Sequence, residues 1–73
     1  MKYEELPFYK ALLSHYLAQR DAALATLKLY FENPVGIGEH SNMLEEYKKH
    51  LELLAEAEDC IESLKRNFNG RQI

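Results

Sequence analysis

Two long stretches of this sequence contain neither glycine nor proline, and a short segment that contains both separates them. The stretches extend over residues 8–33 and 39–69. Pro7 suits the first position of a helix, where a backbone N–H has no partner inside the helix. Asn33 precedes Pro34 and is therefore pushed out of the helical conformation. The sequence predicts one domain, 1–73, with helix 1 at about 7–33, a loop at about 34–40 and helix 2 at about 41–68.

Capping signals mark both ends of the second helix. Ser41 and Asn42 are favourable N-caps, and Asn42 with Glu45 three residues later forms a capping box. Asn69 and Gly70 supply a stop at the other end. Two long helices joined by a short connection form an antiparallel hairpin. The predicted fold class is therefore all-α, with the hairpin as its unit.

Apolar residues repeat at spacings of three and four in both helices, as they do in coiled coils. Such a repeat places one apolar stripe on each helix, and the two stripes are expected to face each other. In helix 1 the stripe comprises Leu6, Tyr9, Leu13, Tyr16, Ala23, Leu27 and Tyr30, thickened by Leu17, Leu24 and Phe31. In helix 2 it comprises Leu44, Tyr47, Leu51, Leu54, Ile61 and Phe68, flanked by Met43, Ala57 and Leu64.

Helix 1 is apolar over more of its circumference than one neighbouring helix can cover. Opposite its stripe lie Ala11, Ala18, Ala22, Ala25 and Leu29, whereas helix 2 has a broad charged outer face. A dimer of hairpins that forms a four-helix bundle would place helix 1 inside and helix 2 outside. The alternative is that the alanines only favour helix formation and pack against nothing.

Size and composition restrict the classes of function. A 73-residue chain has a marginal core by itself, and a lone cysteine, Cys60, excludes an internal disulfide. A net charge of −3 argues against a protein that mainly grips phosphate backbones. We find no secretory signal and no apolar run of membrane-spanning length. We expect a cytoplasmic protein.

Two charged residues interrupt the apolar stripes, Arg20 in helix 1 and Glu58 in helix 2. In an antiparallel hairpin they lie about one turn apart, and their side chains lean toward each other because side chains point toward the N-terminus of their own helix. We predict a structural ion pair that sets the register of the two helices. The alternative role is a polar anchor for a bound ligand.

The sequence contains no recognisable catalytic arrangement, and we expect neither enzymatic activity nor a cofactor. Glu46 and His50 lie four residues apart and could bind a metal weakly if a dimer doubled them. A nucleic-acid-associated regulatory role would depend on basic residues that alternate with acidic ones, which weakens that alternative. These basic residues are Lys48, Lys49, Lys65 and Arg66.

The segment between the helices has a structural interpretation and a functional one. Its glycines permit backbone angles that reverse the chain, and its apolar residues could cover the open end of the bundle. In the functional interpretation the segment contacts a protein partner. The candidate contact residues are Gly36, Ile37, Gly38, Glu39 and His40.

The octapeptide NPVGIGEH, residues 33–40, resembles a recurring segment in small uncharacterised helical proteins of tailed marine bacteriophages, particularly cyanophages. The resemblance extends to RDAAL at residues 20–24, Tyr30 and AEAED at residues 55–59. Ser41 departs from the pattern, which has proline there. The resemblance implies an origin, not an activity. We therefore expect a small phage-type accessory protein that self-associates, most simply as a homodimer, and binds a host or phage protein.

Overall fold

Two helices of 26 residues each lie side by side in the structure, a computed structural model that describes residues 1–33 and 42–73. Helix α1 spans Pro7–Glu32 and helix α2 spans Met43–Phe68. A short 3₁₀ helix, Tyr3–Glu5, precedes α1. The prediction of an all-helical chain with two helices packed against each other is confirmed.

The helix ends follow the capping signals of the sequence. The Asn33 N–H donates to the Leu29 carbonyl at 2.7 Å and closes the last turn of α1. The Asn42 side chain accepts the Glu45 N–H at 3.3 Å and caps the start of α2. Helix α2 starts at Met43, slightly later than expected. These local bonds satisfy backbone groups that a helix terminus would otherwise leave unpaired.

The helices touch along a narrow strip that contains all the buried side chains of the described chain. Tyr9, Ala23 and Leu27 contribute from α1, and Ala57 and Ile61 from α2. Ala57 is completely buried, at 0% exposure. A buried alanine allows two helix backbones to approach each other, since its side chain does not extend beyond the methyl group. The strip is therefore small, and the hairpin has a thin core.

Several leucines expected in the contact between the helices lie outside it. Leu44 is 66% exposed and Leu51 is 57% exposed, although both belong to the predicted stripe of α2. The buried line of α2 passes through Ala57 and Ile61 instead. Since one neighbouring helix covers only part of an apolar stripe, the remainder of the stripe faces the side of the hairpin.

The two chain ends meet at the end of the hairpin where α1 begins and α2 finishes. Lys2 and Gln72 form an isolated antiparallel bridge. The rings of Tyr3 and Phe68 lie 5.2 Å apart between centroids, at an angle of 60°. These contacts close one end of a molecule that measures 53 × 16 × 15 Å. Within the described ranges, neither helix combines the length and the apolar character needed to cross a membrane.

A carboxylate strengthens this junction of the two termini. Both oxygens of Glu4 accept the Gly70 N–H at 3.0 Å. Gly70 has a backbone φ of +80°, a conformation that glycine adopts without steric strain. Hydrogen bonds from the Glu4 and Gly70 backbone favour the charged carboxylate and lower the pKa of Glu4 below the usual value of a glutamate.

We predict that Ala57→Leu destabilises the hairpin, because added methylene groups at a completely buried site force the helices apart. The expected loss in the free energy of unfolding is about 1–3 kcal/mol. Ala55→Leu is the matched control, since Ala55 is exposed on the same helix. Thermal denaturation followed by circular dichroism measures both. Equal melting temperatures for the two variants would contradict the close approach at Ala57.

A second prediction concerns the pH dependence of the terminal junction. Because the folded-state pKa of Glu4 is lowered, its stabilising contact is complete above the ordinary pKa of glutamate and is lost as the pH falls through the lowered value. The amide proton shift of Gly70 should follow that transition in an NMR titration. Glu4→Gln should remove the transition and Glu52→Gln should leave it. A midpoint at or above the ordinary glutamate value would contradict the contact.

Candidate functional site

Apolar and charged side chains line several surface grooves along the described part of the hairpin, and three of them expose the most distinctive side chains. The first, which we call the loop-end groove, has a volume of about 360 Å³ and is almost entirely apolar. It lies at the end where α1 finishes and α2 begins. Its lining residues are Leu27, Phe31, Leu44, Tyr47, Lys48 and Leu51.

The second, the charged cleft, has a volume of about 640 Å³ and continues along the same side of the hairpin. On α1, residues 20, 24, 27 and 31 repeat at spacings of four and three, so they share one side. On α2, residues 44, 51 and 58 repeat every seven residues and do the same. The cleft is lined by Arg20, Glu58, Ile61, Glu62, Lys65 and Arg66.

The third, the terminal groove, has a volume of about 290 Å³ and lies where the chain ends meet. Phe8 stands out, since 86% of its side chain is exposed. The lining residues are Tyr3, Leu6, Pro7, Phe8, Tyr9, Leu12, Leu64 and Phe68. The hairpin therefore exposes apolar surface at both of its ends.

The structure places Arg20 and Glu58 in one cleft but gives the arginine another partner. The Arg20 guanidinium contacts the Asp21 carboxylate at 3.1 Å, through both Nε and Nη2. The predicted pair with Glu58 is not among the ion pairs within the described ranges. The reason is that the side of the hairpin is open: the Arg20 side chain is 39% exposed and turns toward the nearest carboxylate. A single pair of this exposed kind contributes little to stability.

Two of the basic residues considered for nucleic-acid binding are neutralised by acidic neighbours on their own helix. Lys48 lies 3.6 Å from Glu45, and Arg66 lies 3.3 Å from Glu62. The exposed charges of α2 are therefore of mixed sign, and phosphate groups would have to compete with these carboxylates. This arrangement lowers the expected affinity for a phosphate backbone.

Near the loop-end groove, a tyrosine completes the end of α1. The Tyr30 carbonyl would be bonded by the N–H of residue 34 in a continuing helix, but Pro34 has no N–H. The Tyr47 hydroxyl donates to that carbonyl at 2.8 Å. The two rings also meet edge to face, with centroids 5.7 Å apart. This contact fastens the end of α1 to the start of α2.

Glu46 and His50, the weak metal candidates, belong to the same cluster. Glu46 accepts the Tyr30 hydroxyl at 3.4 Å and lies 3.8 Å from His50 Nε2. Burial of the Tyr30 hydroxyl and the nearby Glu46 charge raise the pKa of Tyr30. In the part of the chain that the structure describes, no three His, Cys, Asp or Glu side chains are placed to hold a metal ion. The cluster holds the two helices together through polar groups.

Other polar contacts across the hairpin were not expected from the sequence. The Gln19 amide donates to the Leu53 carbonyl at 2.9 Å and to Glu56 at 2.8 Å. Tyr16 and Cys60 line one groove, and the neighbouring Cys60 thiol is the main cause of a raised Tyr16 pKa. For the Gln19 contacts, the signal in the sequence was a glutamine at the edge of the apolar stripe of helix 1. The tyrosine beside Cys60 was not foreseen.

The candidate partner-contact residues Gly36, Ile37, Gly38, Glu39 and His40 lie outside the described residues. Comparison of the chain with protein-family models, curated proteins and solved structures finds no match.

We predict that Tyr47→Phe destabilises the hairpin by about 1 kcal/mol, because the Tyr30 carbonyl loses its hydrogen-bond donor. Tyr3→Phe is the matched control, since the Tyr3 hydroxyl donates no hydrogen bond within residues 1–33 and 42–73. Urea denaturation measures both variants. If the two lose equal stability, the hydroxyl of Tyr47 does not fasten the helices.

Proposed function

We propose that this chain is a non-enzymatic, self-associating interaction protein of phage type, whose hairpins pair into a four-helix bundle that binds a protein partner. The observation that carries the proposal is the large amount of apolar surface left uncovered by the contact between α1 and α2. Three features support it: the accessible surface area, the identity of the exposed side chains, and the structural contacts that the titratable groups make.

The accessible surface is larger than that of a typical folded protein of the same mass. The chain exposes 5483 Å² at 8.5 kDa. A monomer of this mass is expected to expose about 4,650 Å². The excess, roughly 800 Å², is close to the area that each partner contributes to a stable protein–protein interface. The area therefore matches what one further copy of the chain would cover.

The identity of the exposed residues supports the same conclusion. Large apolar side chains remain exposed on both helices. In monomeric proteins, apolar side chains with exposed fractions this high usually occur singly on the surface. Phe31, Leu44 and Leu51 lie together in the loop-end groove, and Phe8 lies in the terminal groove at the other end. The most exposed on the helices are Phe8 at 86%, Phe31 at 71%, Leu44 at 66%, Leu51 at 57% and Leu29 at 55%.

The titratable groups near the helix contact are engaged in structural bonds, which supports the assignment to a non-enzymatic class. Tyr16 lies in one groove with Cys60, and Glu46 is shared between Tyr30 and His50. A catalytic acid or base would instead face a concave site that encloses a substrate.

The proposed partner contacts are the candidate residues 36–40, which separate α1 from α2 in the sequence, and the acidic outer face of α2. The resemblance of residues 33–40 to the phage segment supports the first surface. Glu52 and Asp59, which form no ion pair within residues 1–33 and 42–73, support the second, and they favour a partner with complementary basic side chains. The proposed setting is the cytoplasm of the infected host.

Sedimentation equilibrium over a range of concentrations tests the self-association. We expect a mass of twice 8.5 kDa for the wild type. Leu51→Glu should weaken the dimer by about 100-fold, because it places a charge in an apolar interface. Glu52→Gln, next to it on the outer face of α2, should have no effect. A wild type that stays monomeric at high concentration would overturn the proposal.

Affinity capture from host lysate tests partner binding with two variants that divide the proposed surfaces. Glu39→Ala/His40→Ala removes the side chains between the helices, and Glu52→Ala/Asp59→Ala removes carboxylates of the outer face. A partner that binds residues 36–40 should be lost with the first variant and kept with the second. A partner that binds the outer face of α2 should show the reverse. If both variants recover the same proteins as the wild type, neither surface binds a partner.

A further inference from the structure

We propose that the second copy of the chain docks on the loop-end groove and the charged cleft, with its loop-end groove at the same end of the bundle, and that Arg20 of each copy pairs with Glu58 of the other. This inference rests on the self-association proposed above and specifies its face and its orientation. Three features support it: which residues of α1 and α2 lie at the same height along the hairpin, how charge is distributed, and what a two-fold axis brings together.

Contacts within the hairpin establish which residues of α1 and α2 lie at the same level. Tyr30 contacts Glu46, Gln19 contacts Glu56, and Tyr16 contacts Cys60. Arg20 is therefore level with about residue 56, and Glu58 is level with about residue 18. Both charges lie near the middle of the hairpin and line the same cleft.

The docking side is divided into an apolar half and a charged half. Leu24, Phe31, Leu44 and Leu51 occupy the loop-end half, with exposures of 40%, 71%, 66% and 57%. Arg20 and Glu58 mark the boundary, and the charged cleft continues toward the chain termini. A second copy that covers this side must match apolar surface with apolar surface and each charge with its opposite.

A two-fold axis parallel to the helices achieves this match for the apolar half and for Arg20 and Glu58. It places α1 of one copy against α2 of the other, antiparallel and at the same relative level as within the hairpin. Phe31 then faces Leu44 of the second copy, and Leu24 faces Leu51. Arg20 faces Glu58 of the second copy, with both side chains leaning toward each other.

The other closed arrangement, with the axis perpendicular to the helices, mismatches the same residues. It turns the second copy end for end, so that the loop-end half of one copy meets the charged half of the other. Leu51 then faces Glu62, and the two Arg20 side chains come together at the centre. Apolar burial is lost and like charges are opposed, which costs free energy at an interface.

The open side also explains how Arg20 can change partner. Its contact with Asp21 is exposed, with 68% of the Asp21 side chain accessible, and exposed pairs of this kind contribute little. Covering the cleft with a second copy removes water from around Arg20 and Glu58, which strengthens a pair between them. The result is a dimer held by two identical ion pairs and an apolar half.

A mixing experiment with charge-reversed chains tests the exchange of partners between copies. Arg20→Glu and Glu58→Arg should each weaken the homodimer by roughly 100-fold, because each opposes two like charges at the interface. An equimolar mixture should recover an affinity within about tenfold of the wild type, since the heterodimer restores both pairs. Lys49→Glu and Glu52→Arg, on the outer side of α2, are the matched controls and should leave dimerisation unchanged.

A mixture that dissociates as readily as the separate variants would overturn the proposal while leaving the dimer itself in place. A pair formed within one chain would behave in that way, since mixing cannot restore it. A wild type that is monomeric would overturn both this inference and the proposed self-association. Circular dichroism of each variant confirms that its helices remain formed.

A distance measurement tests the orientation independently. Spin labels at Glu32→Cys, in a Cys60→Ser background, report the separation of the two α1 ends in the dimer. The parallel axis predicts a separation below about 30 Å, since helix spacings in a bundle are about 8–10 Å. The arrangement with the axis perpendicular to the helices predicts about 40 Å or more, from the 1.5 Å rise per residue. The longer distance would overturn the proposal.

Discussion

The contact strip through Ala57 is the constraint on which the rest of the hairpin depends. Because only five side chains of the described residues are buried, the helices share a narrow strip. Everything outside that strip stays accessible, including leucines that belong to the same apolar stripe. The thin core and the large exposed surface therefore have one common cause, which is that two helices cannot enclose each other.

Polar contacts at the two ends and in the middle align the helices where the apolar strip cannot. At one end Tyr9 donates to Asn69 at 3.0 Å, and at the other Tyr47 donates to the Tyr30 carbonyl. Between them, Gln19 reaches the backbone of α2. Apolar packing along a helix is tolerant of sliding, whereas a hydrogen bond is lost when its partner moves by one residue. These three contacts hold the register.

The open side of the hairpin connects the fold to its proposed role. Surface that one chain leaves uncovered is available to another, which supports the proposed pairing of hairpins. The distribution of that surface, apolar at the loop end and charged toward the termini, distinguishes one orientation of a second copy from the other. The same property that limits the stability of a single hairpin thus specifies how two hairpins would combine.

Local features of the fold were predictable from the residues, because their causes are local. Pro7 and the Asn33–Pro34 pair delimit α1, and the Asn42 side chain caps α2, since these effects act within a few residues. The pairing of two long helices followed from the apolar repeats. The placement of Leu44 and Leu51 did not, because a repeat shows which side of a helix is apolar but not how much of it a neighbour covers.

The sequence by itself determined the two helices, their ends and the apolar sides that bring them together. Only the tertiary structure decided which residues form the contact strip, that Gln19 and Tyr47 bridge the helices, and that Arg20 contacts Asp21 and not Glu58. The physical reason is that a helix depends on neighbouring residues in the chain. A contact between helices depends instead on their separation, rotation and exposure to water, which are set jointly by all the side chains between them.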